Sequence, residues 1–375
     1  MTQLPNKTRA WLAEPLGADV RASIERIARV DDVARIALMP DVHLAENVCI
    51  GAVVASRAGL YPDAVGGDIG CGMAAVRLGL HAGVVNRHSA RRLLEGFARA
   101  VPSNRFGQKR ALPPEMRDAQ LSTPALCKAL ERTGRVQLGT LGSGNHFLEL
   151  QAEEDGTLWL VVHTGSRGLG PEIRRHHLSA GEAVGAGLRR LPADSQSGVD
   201  YLNDHDVAVR FASLSRRRIL EAAVAVLNDV FQTDAEWDTE VTCTHNWVRR
   251  ETHGGEELWV HRKGAMSAGE GEPGIIPGSM GTESFLVTGR GHAPALCSCS
   301  HGAGRAMSRG VARRRITVAK LEREMDGVWY DQALGKRLVD EAPSAYKPIA
   351  AVMRAQRDLT RITHRLRPVL SYKGV

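Results

Sequence analysis

The chain has few of the features that mark secreted, membrane-bound or disulfide-stabilised proteins. Only six of its 375 residues are cysteines, and no two of them form a C-x-x-C pair, which excludes a dense disulfide framework. No run of about 18 uncharged apolar residues is present, which excludes a transmembrane helix. Residues 1–20 mix charged side chains without the apolar core of a signal peptide. We therefore expect a cytoplasmic protein that does not bind a membrane.

Aromatic residues are also scarce, at 5% of the chain, which argues against base stacking as the main way of binding a nucleic acid. Acidic residues are outnumbered by basic ones, so that the net charge is +7 and the pI is near 9.3. This charge favours a polyanionic partner, and nucleic acid bound through its phosphates is the first expectation. Basic soluble enzymes share the property, so charge alone does not establish such a partner.

Hydrophobic residues make up 43% of the chain, enough for a large core. The hydrophobic periodicity predicts helices at residues 18–30, 89–100 and 204–231 and strands at residues 36–39, 50–55, 72–78, 148–150 and 158–162. Residues 241–299 resemble short strands joined by glycine-rich loops, and the chain after Gly302 resembles basic helices. Because no linker or repeat divides these regions, we predict a single α+β domain over residues 1–375, with a β-rich core surrounded by helices.

Five potential metal ligands stand where apolar, strand-like runs meet glycine or small polar residues: Asp68, Cys71, His146, His163 and His245. A single such histidine is more often a core residue than a ligand, so the prediction depends on the set. A carboxylate, a thiolate and three imidazoles exceed what one metal with an open position needs, which favours two adjacent metals. The ligand types leave the metal open, because thiolate and imidazole suit zinc whereas carboxylate suits manganese or magnesium.

Another candidate site combines a histidine with glycine-rich backbone. His301 directly precedes Gly-Ala-Gly at residues 302–304, and a second small-residue loop, Pro-Gly-Ser-Met-Gly-Thr, occupies residues 277–282. Both loops expose backbone N–H groups that suit a phosphate. Asp41 and His43, at a predicted strand end, place two polar groups on one face, but the residues alone give them no role.

A basic helix is predicted beside this candidate phosphate site. It covers residues 303–320, where Arg305, Arg309 and Arg313 are four residues apart and therefore share one face. Most such charge runs are solvated helix faces. The position next to the glycine-rich loops nevertheless favours contacts with substrate phosphates.

In this order, these elements resemble the RtcB family of RNA ligases. The resemblance extends from Met39 to Gly374. The matching segments are residues 39–43 (Met-Pro-Asp-Val-His), 66–72 (Gly-Gly-Asp-Ile-Gly-Cys-Gly), 138–149 (Leu-Gly-Thr-Leu-Gly-Ser-Gly-Asn-His-Phe-Leu-Glu), 162–168 (Val-His-Thr-Gly-Ser-Arg-Gly), 245–246 (His-Asn), 261–265 (His-Arg-Lys-Gly-Ala), 277–281 (Pro-Gly-Ser-Met-Gly), 300–305 (Ser-His-Gly-Ala-Gly-Arg) and 372–374 (Tyr-Lys-Gly).

The resemblance implies a site for two Mn(II) ions, with Cys71 bridging them. Asp68 and His146 would complete one ion's ligands, and His163 and His245 the other's. It also implies a GTP site. The residues implied to form that site are Asn145, His146, Glu149, His245, Asn246, Pro277, Gly278, Ser279, Met280, Ser284, His301, Gly302, Ala303, Gly304 and Lys373.

The implied reaction joins an RNA end with a 3′-phosphate or 2′,3′-cyclic phosphate to a 5′-hydroxyl end, in tRNA splicing or RNA repair. His301 would be the nucleophile that becomes guanylylated, and Arg167, Arg305 and Arg309 are candidates for holding RNA phosphates. An activating protein partner is a further expectation. The alternatives are a metal-dependent phosphohydrolase or cyclic phosphodiesterase, which would not need the histidine, and a non-catalytic RNA-binding protein with a structural metal.

Two segments depart from the family pattern. Residues 44–49 read Leu-Ala-Glu-Asn-Val-Cys where glycine-rich sequence is usual, and Ser215-Arg216 stands where an Asn-Arg pair is expected. Neither departure affects an implied metal ligand or His301. They therefore concern the choice of substrate more than the core chemistry.

Overall fold

Two large β-sheets form the centre of the structure, a computed structural model that describes residues 4–374. The strands are β1 (Thr8–Ala10), β2 (Val33–His43), β3 (Ile50–Ser56), β4 (Gly59–Leu60), β5 (Gly72–His81), β6 (Phe147–Ala152), β7 (Thr157–Thr164), β8 (Glu182–Ala183), β9 (Arg189–Pro192), β10 (Ala235–Thr244), β11 (Asn246–His253), β12 (Glu256–Lys263), β13 (Ala265–Ser267), β14 (Pro273–Ile276), β15 (Ser284–Gly289), β16 (Ser298–Ser300) and β17 (Thr360–Lys373). The helices are α1 (Ala18–Ala28), α2 (Arg87–Ala100), α3 (Pro114–Arg117), α4 (Pro124–Gln137), α5 (Leu169–Ala180), α6 (Gln196–Phe231), α7 (Arg309–Arg315), α8 (Val318–Glu324), α9 (Gly335–Leu338) and α10 (Ile349–Ala355).

The two large sheets have seven and five strands. The larger has the strand order β10-β5-β7-β6-β17-β15-β14, and the smaller has the order β1-β2-β3-β12-β11. Consecutive strands β10 and β11 lie in different sheets, and the last strand, β17, is an interior strand of the larger one. Apart from the parallel pair β1 and β2, the named strands pair antiparallel in the described chain. The sheets with their covering helices confirm the predicted α+β class.

Helices α2 and α6 cover one face of the larger sheet. In α2, Ala90, Leu93 and Phe97 recur at helical spacing and are buried against the sheet, which gives the helix its apolar face. Helix α6 begins after Ser195, whose side chain accepts a hydrogen bond from the Gly198 N–H. Burial of the apolar face of α6 against β5 and β7, and of α2 against α6 and β17, supplies the main stabilisation of this layer.

Most predicted elements are found close to their predicted positions. The helices predicted at residues 18–30 and 89–100 are α1 and α2, and the strands predicted at residues 148–150 and 158–162 form the hairpin of β6 and β7. Helix α6 begins eight residues before the predicted start at residue 204. Its first three turns expose Val199 and bury Asp204 and His205, and this reversal of the usual pattern obscured the helical period.

The predicted helix at residues 303–320 is wrong. Gly304 has a φ of +70° and lies against the backbone of Asp41, a conformation and a closeness that suit glycine and turn the chain sharply. Helix α7 begins only at Arg309, after Ser308, whose hydroxyl accepts a hydrogen bond from the Val311 N–H. Residues 302–304 therefore form an irregular loop and not the first turn of a helix.

The prediction that the chain after Gly302 is mainly helical is also wrong for its end. Strand β17 extends over 14 residues and pairs with β6 and β15. Its sequence contains exposed arginines and Pro368, which hid the strand pattern. A register shift between Pro368 and Leu370 lets the ladder continue past a residue that lacks an N–H.

Two simpler expectations concern cysteines and the membrane. All six cysteines are free thiols. Among the helices of residues 4–374, none combines the length and apolarity needed to cross a bilayer.

Candidate active site

Neighbouring strands of the larger sheet bring the potential metal ligands together. In the order β10-β5-β7-β6, His245 follows the end of β10 and Cys71 precedes the start of β5. His163 is the penultimate residue of β7, and His146 precedes the start of β6. Because adjacent antiparallel strands run in opposite directions, these ends and starts meet at one edge of the sheet. Asp68 joins them from the loop before β5.

The ligand atom of each of these five residues lies within 3.5 Å of the ligand atom of another. Cys71 Sγ is 3.2 Å from His163 Nε2 and 3.5 Å from His146 Nε2. His163 Nε2 is 3.2 Å from His245 Nε2, and His146 Nε2 is 3.0 Å from Asp68 Oδ2. They divide into two groups of three that share Cys71, and within each group the ligand atoms lie within 4.8 Å of one another. We call these five residues the ligand cluster.

The ligand cluster fits divalent metal ions. His163 Nδ1 lies 3.1 Å from the Asn145 carbonyl oxygen, to which it donates, so that Nε2 keeps its lone pair for a ligand. Asp68 Oδ1 is buried and has no hydrogen-bond partner among the described residues, an arrangement that a bound cation would satisfy. Sulfur, nitrogen and oxygen donors in two sets that share one thiol therefore suit two adjacent ions.

Electrostatics in the ligand cluster favour metal-binding forms of the imidazoles. Burial lowers the pKa of His163 and of His245 well below the ordinary value, which keeps both rings neutral. Burial and the negative charge of Asp68 raise the pKa of the Cys71 thiol, which a bound cation would reverse by stabilising the thiolate. Burial opposes ionisation of Asp68, but its contacts with His146, Cys71 and Arg167 together hold its pKa below the ordinary value.

A buried arginine on α6 connects the segments that carry the ligands. Arg216 is 1% exposed and donates to the Gly70 carbonyl at 2.8 Å and to the Thr164 carbonyl at 3.2 Å. Its other terminal nitrogen lies 3.4 Å from the Thr244 hydroxyl. Each partner is next to a ligand in sequence, so that one side chain fixes the relative positions of three ligand-bearing segments.

His301 extends the row of imidazoles beyond the ligand cluster. Its ring packs edge-on against that of His245 with a centroid distance of 4.9 Å. Asp41, fully buried near the end of β2, accepts hydrogen bonds from His301 Nδ1–H at 2.6 Å and from the His301 backbone N–H at 3.2 Å. In the neutral ring, this leaves Nε2 with the lone pair, the form that a nucleophile requires.

His43 and Lys347 hold the segment that carries Asp41. His43 Nδ1–H donates to the Asp41 carbonyl at 2.8 Å, and burial lowers the pKa of His43 to about 4, so its ring is neutral at physiological pH. The buried Lys347 ammonium donates to the Val42 carbonyl at 2.8 Å. These contacts fix the orientation of the Asp41 carboxylate toward His301.

A cavity of about 210 Å³ opens beside His301. Its lining contains eleven of the residues predicted for nucleotide binding: Asn145, Glu149, Pro277, Gly278, Ser279, Met280, His301, Gly302, Ala303, Gly304 and Lys373. The other four do not line it, and two of these, His146 and His245, belong to the ligand cluster. The Asn246 side chain donates to the Asp68 carbonyl at 3.0 Å and accepts from the Gly264 N–H at 2.7 Å, while Ser284 is buried in β15. Asn246 and Ser284 therefore lie outside the set of residues that line the cavity.

The amino-acid sequence matches one protein family over most of its length. The family model described as "tRNA-splicing ligase RtcB" matches residues 23–130 and 115–374 of the chain. The chain belongs to the RtcB family. The match includes every residue of the ligand cluster, Asp41 and His301.

Individual RtcB proteins match over nearly their whole length. The RNA-splicing ligase RtcB of Escherichia coli K12 is 38% identical over 391 aligned positions, which cover 96% of this chain and 95% of the relative. RtcB1 of Escherichia coli ATCC 25922, also an RNA-splicing ligase by name, has the same identity and coverage. The tRNA-splicing ligase RtcB of Archaeoglobus fulgidus is 30% identical over 90% of this chain and 87% of its own length.

One wall of the cavity in this RtcB-family chain is a buried charge network. Lys373 Nζ donates to Glu341 Oε2 at 2.7 Å, and the same carboxylate accepts from the Tyr346 hydroxyl at 2.6 Å and pairs with Arg309. Glu149 is 2% exposed and accepts from the Ser371 hydroxyl at 2.7 Å. Burial raises the pKa of Glu149 above its ordinary value, so a donor from a ligand would stabilise its charged form.

The three arginines predicted to hold RNA phosphates occupy two places. Arg167 follows β7 with a φ of +55°, an uncommon conformation for a residue with a side chain, and its guanidinium lies 3.4 Å from His146 Nδ1. Arg305 and Arg309 line the cavity and pair with Glu341. Arg305 also donates to the Asp340 carbonyl at 2.7 Å, so its guanidinium is already hydrogen-bonded within the protein.

Several residues of this RtcB site received no role from the sequence. Asp41 was visible only as part of the Met-Pro-Asp-Val-His segment, and its strand-end position was the available signal. Glu341 gave no signal, and Arg216 appeared only in the Ser215-Arg216 pair without a role, because long-range contacts define what both residues do. At one departure from the family pattern, the Ser215 hydroxyl accepts from the Gly139 N–H at 3.0 Å, so the serine takes up a structural hydrogen bond.

Proposed function

We propose that this protein is an RNA ligase that joins a 3′-phosphate or 2′,3′-cyclic-phosphate RNA end to a 5′-hydroxyl end, with GTP and two Mn(II) ions. The observation that supports this most is the hydrogen bond from His301 to the buried Asp41, beside the ligand cluster and facing the cavity. The relatives' names, RNA-splicing ligase and tRNA-splicing ligase, agree with it. We place the reaction in RNA repair or tRNA splicing in the cytoplasm, where an activating protein can assist.

In the proposed first step, His301 is the nucleophile. Its Nε2 lone pair attacks the α-phosphorus of GTP, so that an N–P bond forms as the bond to the leaving pyrophosphate breaks. Asp41 stabilises the positive charge that develops on the imidazole through the Nδ1–H hydrogen bond. A hydrogen bond to a buried carboxylate also holds the ring in the required tautomer.

The ligand cluster would hold the metals that this step needs. Cys71 would serve both ions, with Asp68 and His146 at one and His163 and His245 at the other. When bound, the ions would act as Lewis acids toward phosphoryl oxygens and neutralise charge on them. The neighbouring imidazole rings of His245 and His301 would place that charge next to the nucleophile.

The cavity is suited to a guanine nucleotide. We assign Glu149 to accept hydrogen bonds from N–H groups of the base. It is a buried carboxylate on the cavity wall, and its two oxygens accept one hydrogen bond each, from Ser371 and Gln151, which leaves lone pairs for a ligand. Lys373 would donate to a base carbonyl. The backbone of residues 277–280 and 302–304 would contact the ribose and phosphates, and His146, His245, Asn246 and Ser284 would support this site from behind.

The RNA steps would use the same site. An oxygen of the RNA 3′-phosphate displaces His301 from the guanylate, and the N–P bond is exchanged for a P–O bond that leaves GMP attached to the RNA end. The 5′-hydroxyl then attacks this activated phosphate, loses its proton, and releases GMP. Arg167, Arg305 and Arg309 would bind the RNA phosphates during these steps.

A metal-dependent phosphohydrolase or cyclic phosphodiesterase remains the alternative. Such an enzyme would use the ligand cluster but would need neither a nucleotide-accepting histidine nor a buried carboxylate to orient it. The Asp41–His301 pair therefore favours the ligase. A non-catalytic RNA-binding protein would need neither Asp41 nor His301, although burying such polar groups lowers the stability of the fold.

A joining assay with defined RNA ends tests the proposal. With GTP and Mn(II), the wild-type protein is expected to join a 3′-phosphate strand to a 5′-hydroxyl strand, and the His301→Ala variant is expected to form no joined product. Strands with 3′-hydroxyl and 5′-phosphate ends serve as the negative substrate. Removal of the 3′-phosphate without joining, at equal rates in both proteins, would support the hydrolase and refute the ligase.

A further inference from the structure

A second groove adjoins the cavity on the side of Arg309. It has a volume of about 440 Å³, and its lining includes Ser143 and Gly144 on one side and Arg313, Lys336 and Arg337 on the other. Arg309 lines both the groove and the cavity. The two spaces therefore share one lining side chain. We call this space the basic groove.

The basic groove carries more positive charge than its own acids neutralise. Arg309 and Arg313 both pair with the Asp340 carboxylate, at 3.3 Å and 3.0 Å. The side chains of Lys336 and Arg337, exposed on α9, make no ion pair or hydrogen bond within residues 4–374. Since Glu341 already compensates Lys373 and Arg305, the groove presents a net cationic surface to solvent.

We propose that the basic groove binds the sugar-phosphate backbone of the RNA strand whose 3′-phosphate enters the cavity. The inference rests on the proposed function and adds a binding site outside the nucleotide cavity. A strand that leaves His301 past Arg309 runs directly onto Arg313, Lys336 and Arg337. These side chains would contact successive phosphates.

The lining also indicates how the strand is recognised. The groove contains no aromatic side chain among its described lining residues, so bases are not stacked there. The lining residues Ser143 and Gly144 have small side chains or none. A Cβ at Gly144 would lie 2.8 Å from the Arg309 guanidinium, so the absence of a side chain there leaves room for this arginine. Binding is therefore through phosphates, independent of base sequence and sensitive to salt.

The double variant Lys336→Ala/Arg337→Ala tests the groove. Fluorescence anisotropy would measure its affinity for a 5′-labelled, 12-nucleotide single-stranded RNA with a 3′-phosphate, over a range of salt concentrations. The expected result is a loss of affinity of roughly tenfold and a salt slope shallower by about 1.4, since each phosphate contact contributes about 0.7 on a single strand. A 3′-phosphorylated dinucleotide, too short to reach α9, should bind both proteins equally.

Arg26→Ala/Arg29→Ala is the matched control, because it removes two exposed positive charges from the last turn and C-cap of α1, which packs on the smaller sheet. An equal loss of affinity in the control, or an unchanged affinity in the groove variant, would overturn the proposal. Formation of the His301 guanylate with GTP alone, measured in parallel, reports on the proposed function separately. If the groove variant loses RNA affinity but the wild type forms no guanylate, the groove proposal stands and the proposed ligase function is refuted.

Discussion

The Cys71→Ala variant is expected to lose both metal ions, not one. Cys71 belongs to both groups of three ligand atoms, and its sulfur lies 3.2 Å from His163 Nε2 and 3.5 Å from His146 Nε2. Without the thiolate, each group keeps two ligands and loses the charge that holds two cations close together. Because changes in outer-sphere partners alone cost roughly 10- to 100-fold in metal affinity, removal of a shared ligand should cost more than about 100-fold.

The measurement is the metal content per chain after loading with Mn(II) and removal of free metal. Wild type should retain two ions and Cys71→Ala almost none, with loss of RNA joining. Cys49→Ala is the matched control, since Cys49 is equally buried but lies outside the ligand cluster. Retention of two ions by Cys71→Ala would contradict the shared role, and retention of one would show that the two groups bind independently.

The second large effect is expected from Asp41→Asn. The carboxylate accepts the Nδ1–H of His301 at 2.6 Å, whereas an asparagine amide can present an N–H to the same nitrogen and favour the opposite tautomer. His301 Nε2 would then carry the proton and lose its lone pair. Loss of the analogous carboxylate from a histidine elsewhere lowers turnover by about 10⁴-fold, so guanylylation should slow by about 10²- to 10⁴-fold.

This prediction is checked by the rate of GMP transfer to the protein at saturating GTP, together with the metal content. Metal content should remain that of wild type, because Asp41 is outside the ligand cluster. Asp204→Asn provides the control for loss of a buried carboxylate, since Asp204 bonds Ser122 and His177 away from His301. A guanylylation rate within about threefold of wild type would mean that Asp41 does not set the tautomer.

The ligand cluster was predictable because each ligand stands at the end of a strand-like run, and strand ends converge at a sheet edge. The convergence of Asp68 and Cys71 with His146 and His163 follows from the hairpin of β6 and β7 and its pairing with β5. The position of His245 was harder to predict, since its strand, β10, comes from a distant part of the sequence. Its proximity depends on the pairing of Thr244 with Gly72, which lie far apart in the sequence, and periodicity does not reveal such a pairing.

Residues that act through long-range contacts were not predictable. Arg216 appeared in the sequence only as half of the Ser215-Arg216 pair, yet it is buried, and its two terminal nitrogens donate to three carbonyl and hydroxyl oxygens. The helix predicted over residues 303–320 was wrong for a related reason. The close approach of Gly304 to Asp41, which turns the chain there, is a tertiary contact that the sequence does not reveal. In β17, Pro368 and the exposed arginines concealed a central strand whose neighbours supply its register.

The most direct test of the account is the intact mass of the protein after incubation with GTP and Mn(II). Wild type should gain one covalent GMP, His301→Ala should gain none, and His364→Ala, an exposed histidine on β17, should behave as wild type. This result would place the guanylate on the histidine that Asp41 orients. Absence of the adduct from a folded, metal-loaded wild type, or its persistence in His301→Ala, would contradict the central claim.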